Sequence, residues 1–222
     1  MVTERIRARA ERAGCDPEAI RLVLVTKEVG LDRIRQAYDL GMRDFGENRV
    51  QDLTAKAEQL PGDIRWHFIG HLQTNKVKHL IGHTAMIHSC DRLELARELQ
   101  KQAERLNQAV EILIQVNASG ETTKHGFSPK GLEEPISEIC GFSRLKLCGL
   151  MTIGPNTQDE ANVGASFHLL KTLREQLNRQ FSDHSWQYLS MGMSSDFEIA
   201  IEEGANLLRI GSAVFGERSR KK

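Results

Sequence analysis

Short apolar runs alternate with longer amphipathic stretches from one end of this chain to the other. The runs are Leu22–Lys27, Asp44–Asn48, Arg65–Gly70, Met86–Cys90, Glu111–Asn117, Lys146–Thr152, Tyr188–Gly192 and Leu207–Gly211. Their brevity and their β-branched or bulky content predict buried strands. Between them, apolar residues recur at helical spacing in Leu31–Leu40, Arg49–Gln59, Asn75–Ile81, Asp91–Asn107, Pro129–Cys140, Asp159–Gln180 and Ser195–Glu203. Residues 1–14 form a further charged helix ahead of the first strand. Glycine follows at Leu40-Gly41 and Glu203-Gly204, where a helix end favours it, and Ser194 or Ser195 is placed to cap the last helix.

Strand–helix alternation builds a parallel sheet, because each helix carries the chain back to start the next strand in the same direction. Eight such units in 222 residues predict one domain spanning residues 1–222, an α/β fold of the closed (β/α)8 or TIM-barrel type with an extra N-terminal helix. An open doubly wound sheet is the alternative. It loses ground because no strand leads into a Gly-x-Gly-x-x-Gly turn. The chain shows no internal repeat, low-complexity segment or linker.

Composition narrows the function. Thirty basic residues balance thirty acidic ones, which argues against a nucleic-acid partner, since phosphate-backbone binding needs a basic excess or face. The one basic cluster falls in residues 217–222 and reads as a frayed, solvated tail. Cys15, Cys90, Cys140 and Cys148 are too far apart for a disulfide or metal framework, and the histidines show no ligand spacing, so no metal site is expected. Residues 1–13 lack the apolar core of a signal peptide, and no apolar stretch approaches the roughly 18 residues that cross a membrane. A cytoplasmic protein with reduced thiols is expected.

In a barrel, chemistry gathers at the carboxyl ends of the strands. The first run ends in Lys27, which has the face parity of Val23 and Val25. Such a lysine either snorkels to water or is desolvated enough to form a Schiff base with a carbonyl. Asn48 ends the second run with the parity of Gly46, whose missing side chain would leave space beneath a ligand; capping the next helix is its other use. His67 alternates with Trp66 and Phe68 and is either a pocket residue or a satisfied core histidine. The turns Ser190-Met191-Gly192-Met193-Ser194-Ser195 and Arg209-Ile210-Gly211-Ser212 follow the seventh and eighth strands, where barrels often hold phosphate on free backbone N–H groups. Arg209 shares parity with Leu207 and Gly211, and so points into the barrel mouth, where it needs a carboxylate, a carbonyl or a ligand. Beside a pyridine nitrogen, a guanidinium would keep that nitrogen unprotonated, having no proton to give up at ordinary pH. Lysine, phosphate cup and arginine together point to pyridoxal 5′-phosphate.

The segments Val25-Thr26-Lys27, Asp44-Phe45-Gly46-Glu47-Asn48, Trp66-His67-Phe68-Ile69-Gly70 with Leu72-Gln73-Thr74-Asn75-Lys76, Leu150-Met151-Thr152, Leu189-Ser190-Met191-Gly192-Met193-Ser194 with Asp196, and Arg209-Ile210-Gly211 resemble those of the pyridoxal phosphate homeostasis proteins. That family is also called YggS or proline synthetase co-transcribed. The match covers nearly the whole chain in the family's order. It implies a barrel like the N-terminal domain of alanine racemase, with the cofactor held as an aldimine on Lys27 and Arg209 facing its ring nitrogen. It also implies Ser190, Ser194, Gly211 and Ser212 around the phosphate, and Asn48, His67 and Met191 lining the pocket. Two loops depart from the pattern: Lys27-Glu28-Val29-Gly30 replaces Lys-x-Lys-Pro, and His71 replaces a proline.

An alanine racemase needs a tyrosine opposite its lysine, supplied by a further domain of a partner subunit. The only tyrosines here are Tyr38 and Tyr188, and the sequence given ends soon after its last strand. The expectation is therefore a non-catalytic, monomeric carrier that maintains the pyridoxal phosphate pool, and with it amino-acid and keto-acid balance, by exchanging cofactor with apo forms of pyridoxal phosphate enzymes. A slow amino-acid racemase, or another enzyme of unknown substrate, is the first alternative. A lysine aldolase acting on sugar phosphates, which would share the barrel, the lysine and the phosphate cup, is the second.

Overall fold

The computed structural model describes residues 1–216, so the basic tail lies outside the described residues. Eight parallel strands close into a barrel in chain order: β1 Arg21–Val25, β2 Asp44–Glu47, β3 Arg65–Phe68, β4 Met86–Cys90, β5 Val110–Gln115, β6 Leu145–Met151, β7 Tyr188–Ser190 and β8 Leu207–Ile210. The last strand returns to the first, with Val23 beside Arg209. Each strand falls on one of the apolar runs. All but β4 stop one or two residues before the run does, because the chain turns into the loops of the mouth there.

Outside the strands lie α1 Val2–Arg12, α2 Leu31–Asp39, α3 Val50–Ala57, α4 Val77–Leu80, α5 Leu93–Arg105, α6 Glu133–Cys140, α7 Glu160–Gln180, α8 Phe197–Glu202 and α9 Ser212–Phe215. The predicted helix over 75–81 is a 3-10 turn, Thr74–Lys76, running into α4. The N-terminal helix α1 buries Ile6 and Ala10 and lies along α8. There Arg5 forks onto Glu198 at 3.1 and 2.9 Å, and its guanidinium sits 4.8 Å from the centre of the Phe197 ring.

Two cores follow from strand alternation. Leu24, Phe45, Ile87, Ile112, Leu150, Leu189 and Leu208 point outward and join the helices in the larger core. Each such fully buried side chain is worth about 1.5–3 kcal/mol. The barrel interior holds a smaller apolar plug of Val23, Met86, Leu113, Met151 and Leu207. Among the other interior positions Asp44, His67, His88, Ser190 and Arg209 are polar, and they are joined by hydrogen bonds that lead to the site.

Candidate functional site

The mouth begins where β1 ends. Thr26 N–H donates to Gly46 O at 2.9 Å, and Val29 N–H donates back to Thr26 O at 2.9 Å, closing a tight turn. Lys27 and Glu28 are its central residues, and Glu28 has φ 64°. Lys27 therefore sits half-buried in a turn rather than in the predicted strand, still at the carboxyl end of β1. The register with β8 sets Gly211 against Val25, so close that a Cβ on Gly211 would lie 3.1 Å from Val25 O. The lysine turn and the Gly211 turn are thus neighbours.

A buried ion pair anchors the lysine turn from the helix side. Glu47 is fully buried, and its Oε1 accepts from Thr26 Oγ1 at 2.7 Å and from Lys56 Nζ at 2.6 Å. Lys56 also donates to Thr26 O at 2.8 Å. Two side chains thereby grip the residue preceding Lys27. The signal in the sequence was Glu47 itself, an acid with the outward parity of Phe45 in an apolar layer; its partner lies on a different element and could not be read from spacing.

The second edge of the mouth is the loop after β7. Gly192 has φ 91°, and a Cβ there would approach Ala200 Cβ to 2.7 Å, so only glycine lets the chain pass this close to α8. Asp196 is the N-cap residue of α8, and its Oδ1 accepts from Met193 N–H at 2.5 Å. Ser194 does not cap α8. Its hydroxyl oxygen instead accepts from Gly211 N–H at 3.4 Å and Ala213 N–H at 3.2 Å, at the start of α9. An oxygen seated on two amides is what a phosphate oxygen would supply there, and exposed Ser212 stands beside it.

Inside the barrel the structure places Ser190, His67 and Met191 differently from the roles expected of them, and it leaves Asn48 at the mouth. Arg209 is only 4% exposed and points inward as predicted, donating to Ser190 Oγ at 2.6 Å and to Thr152 O at 2.8 Å. Burial pushes its pKa down to about 10 against the supporting charge of Asp196, so it stays cationic at neutral pH. Ser190 is fully buried, and its hydroxyl is engaged by Arg209 and by His88 Nδ1 at 2.9 Å, inside the barrel instead of at the two-amide cup. His67 lies in the barrel interior, bonded to His88 Nε2 at 2.9 Å and to Asp44 Oδ1 at 2.9 Å, two hydrogen bonds from Ser190 rather than at the mouth. Met191 is fully buried in the strand–helix core, because its parity is opposite to that of Ser190. Asn48 is exposed at the end of β2 and does not cap α3, whose N-cap is Arg49. The space over Gly46 is filled: a Cβ there would meet Val23 Cγ1 at 3.0 Å and Ile69 Cδ1 at 3.5 Å, so this glycine serves packing.

Three ligand-type residues that spacing did not reveal meet among the loops after β3, β4 and β5. His71 Nδ1 is 2.9 Å and His125 Nδ1 3.9 Å from Asp91 Oδ2. The two imidazoles are stacked, however, with centroids 3.8 Å apart and planes 18° apart. A nitrogen lone pair lies in its ring plane, so two stacked rings cannot both aim at one ion. Arg92 occupies Asp91 Oδ1 at 2.6 Å. As placed, the cluster is a buried carboxylate holding a stacked histidine pair.

On adjacent ends of β1, β7 and β8 the chain thus presents an amine, a two-amide cup and a buried guanidinium. The family profile described as alanine racemase, N-terminal domain, matches residues 2–219. The pyridoxal phosphate homeostasis protein of Aquifex aeolicus is 45% identical over 98% of this chain and 95% of its own length. The human protein of the same name is 38% identical, over 100% of this chain and 86% of its own. Among solved structures, PipY of Synechococcus elongatus with PLP bound superposes with a TM-score of 0.85 at 33% identity, covering 97% of this chain and 100% of PipY. Alanine racemase of Clostridium difficile reaches 0.71 at 16% identity, over 98% of this chain and 57% of the racemase, a likeness of fold alone.

Proposed function

The chain belongs to the alanine racemase N-terminal-domain family, among the pyridoxal phosphate homeostasis proteins, and we propose that it keeps pyridoxal 5′-phosphate at the barrel mouth with Lys27 as the covalent tether. When bound, this cofactor brings an aldehyde that condenses with an amine, a ring nitrogen and a phosphate. The residues fit each part. Lys27 offers the amine, the amides of Gly211 and Ala213 with the Ser194 hydroxyl offer the cup, and Arg209 offers the guanidinium toward the ring. Asn48 and Ser212, exposed at the strand ends, are placed for access to the mouth.

The observation that carries this reading is Arg209. It is a buried cation on the strand next to that of Lys27, and its hydrogen bonds go to a hydroxyl and a carbonyl instead of a carboxylate. Burying a charge without a direct counter-ion is costly unless a ligand uses it. Because a guanidinium lends no proton, a ring nitrogen against it stays unprotonated, which favours holding the cofactor over reacting it. Neither tyrosine faces the amine. Tyr38 binds Asp63 on the helix side at 2.7 Å, and Tyr188 begins β7 at the opposite end of the barrel, 5.1 Å from the Arg21 guanidinium. The protein acts as a monomeric intracellular reservoir exchanging the cofactor with apo-enzymes. No helix among the described residues is long and apolar enough to cross a membrane.

An absorption spectrum of the purified protein, followed by borohydride reduction and peptide mapping, tests the tether. The visible band should vanish in Lys27→Ala with the fold intact. Cofactor fixed to a different lysine in the wild type would refute the assignment. Rapid, substrate-dependent exchange of an amino acid's α-proton with deuterated solvent would replace the reservoir with a racemase.

A further inference from the structure

We propose that Asp44, His67 and His88 are positioning residues that hold Arg209 for the cofactor ring, through a one-way hydrogen-bond chain inside the barrel; this rests on the reading of Arg209 given above. The direction of the chain follows from its two ends. Arginine has only donors, so Ser190 Oγ, 2.6 Å from Arg209, must accept. An ionised carboxylate only accepts, so at the far end His67 carries its proton on Nε2 and gives it to Asp44 Oδ1 at 2.9 Å. Ser190 Oγ has a second lone pair, so its bond to His88 Nδ1 at 2.9 Å takes its direction from the Asp44 end. With His67 giving its proton to the carboxylate, His88 must carry its proton on Nε2, pointing to His67 Nδ1 at 2.9 Å, and accept from Ser190 at Nδ1.

The consequence for Arg209 is geometric. With its proton turned away, the Ser190 hydroxyl can show the guanidinium nothing but a lone pair, and Thr152 O holds the second nitrogen at 2.8 Å. Asp196 acts on the guanidinium through its charge without a hydrogen bond to it, and the carboxylate that ends the hydrogen-bond chain, Asp44, is two imidazoles away with its other oxygen paired to half-exposed Arg65. The guanidinium is therefore fixed in place while its charge stays available to the mouth. A direct Arg–Asp pair would fix it equally well but would quench that charge. Burial also lowers the pKa of both histidines, keeping them in the neutral form the chain requires. A plain core-filling role would need neither a defined tautomer at both rings nor an unbroken run from Asp44 to Arg209.

The test pairs a reading on the cofactor-free protein with one on the loaded protein. In 15N-histidine spectra of cofactor-free wild type near neutral pH, both His67 and His88 should be Nε2-protonated with bare Nδ1. An Nδ1-protonated ring, or a mixture at either position, would overturn the chain, whatever the protein binds. Equilibrium dialysis against pyridoxal 5′-phosphate should show His88→Leu raising the dissociation constant about tenfold, a change of about 1.4 kcal/mol. His88→Asn, whose side-chain carbonyl can accept from Ser190, should restore most of it. If His88→Leu does not fold, Ser190→Ala breaks the same link with a smaller change and should show the same loss. Wild-type retention in a folded His88→Leu or Ser190→Ala protein would refute the positioning role. Absence of binding by the wild type would instead refute the cofactor reading and leave the tautomers to judge the chain.

Discussion

Glu28 follows the lysine of the mouth and adopts φ 64°, a region that L side chains enter at a cost of about 1–2 kcal/mol. The turn needs that conformation, since Val29 N–H must reach back to Thr26 O. A β-branched residue tolerates it least. Glu28→Val should therefore lower unfolding stability by about 1–2 kcal/mol and loosen the cofactor, while Glu28→Gly, which relieves the backbone strain, should be the more stable of the two variants. Urea denaturation of the two variants decides the matter; equal midpoints would mean that backbone geometry does not govern this turn. Ser194 presents a second residue-scale case. Its hydroxyl caps amides in a partly exposed loop, so Ser194→Ala should cost stability only about 1 kcal/mol. Cofactor retention, read by dialysis, should suffer by about ten- to a hundredfold if the same amides receive phosphate, since one lost charge-assisted hydrogen bond is worth about 1.5–3 kcal/mol. Unchanged retention would move the phosphate elsewhere.

At the scale of elements, β2 and α3 are joined by the pair Glu47–Lys56 beneath the lysine turn. Removing one partner strands a buried charge, so Lys56→Met should destabilise by about 3–5 kcal/mol. Adding Glu47→Gln to it should recover much of the loss, because the amide asks for no counter-ion. A Lys56→Met protein as stable as wild type in thermal unfolding would remove the pair from the support of Lys27. This pair also marks the boundary of what was legible in the sequence. Short apolar runs display all eight strands, and parity alone aims Arg209 into the barrel, because both are local properties of a strand. Partners across strands are not local. Ser190 shares a turn with Ser194 and so looked like part of the same cup; one residue of strand geometry sends it inward to Arg209 and His88. Met191 follows the same rule, since the strand's parity continues through it into the helix layer and away from the pocket that the resemblance implies for it. The resemblance implies His67 as a pocket residue, whereas its hydrogen bonds to Asp44 and His88 place its side chain in the barrel interior, partners that no spacing in the sequence displays.

Over the whole molecule, the polar interior makes stability depend on acid in a defined window. His67 and His88 are buried and neutral, and desolvation holds the pKa of each below the ordinary 6.5, that of His88 well below. Unfolding releases them to water, where they take up protons more readily. The unfolded chain therefore binds more protons than the folded one below about pH 6.5, and stability must fall as pH falls through that value. Each such proton contributes a slope of up to about 1.4 kcal/mol per pH unit. The decline continues until the folded-state values are reached. Asp44 enters later: burial opposes its charge, but the hydrogen bonds from His67 and Arg65 prevail and lower its pKa below 3.8. Its contribution is present above 3.8 and is lost only as pH falls through the lowered value. Between pH 8 and 6.5 these groups predict a plateau, and from 6.5 to 5 a descent set by the two histidines. Urea midpoints across this range should show that shape in the cofactor-free protein, and His88→Gln should shallow the descent by removing one of its two protons. A midpoint that stays flat from pH 8 to 5 would mean that the interior histidines are not held neutral by burial, and the ordered chain from Asp44 to Arg209 would lose its physical basis.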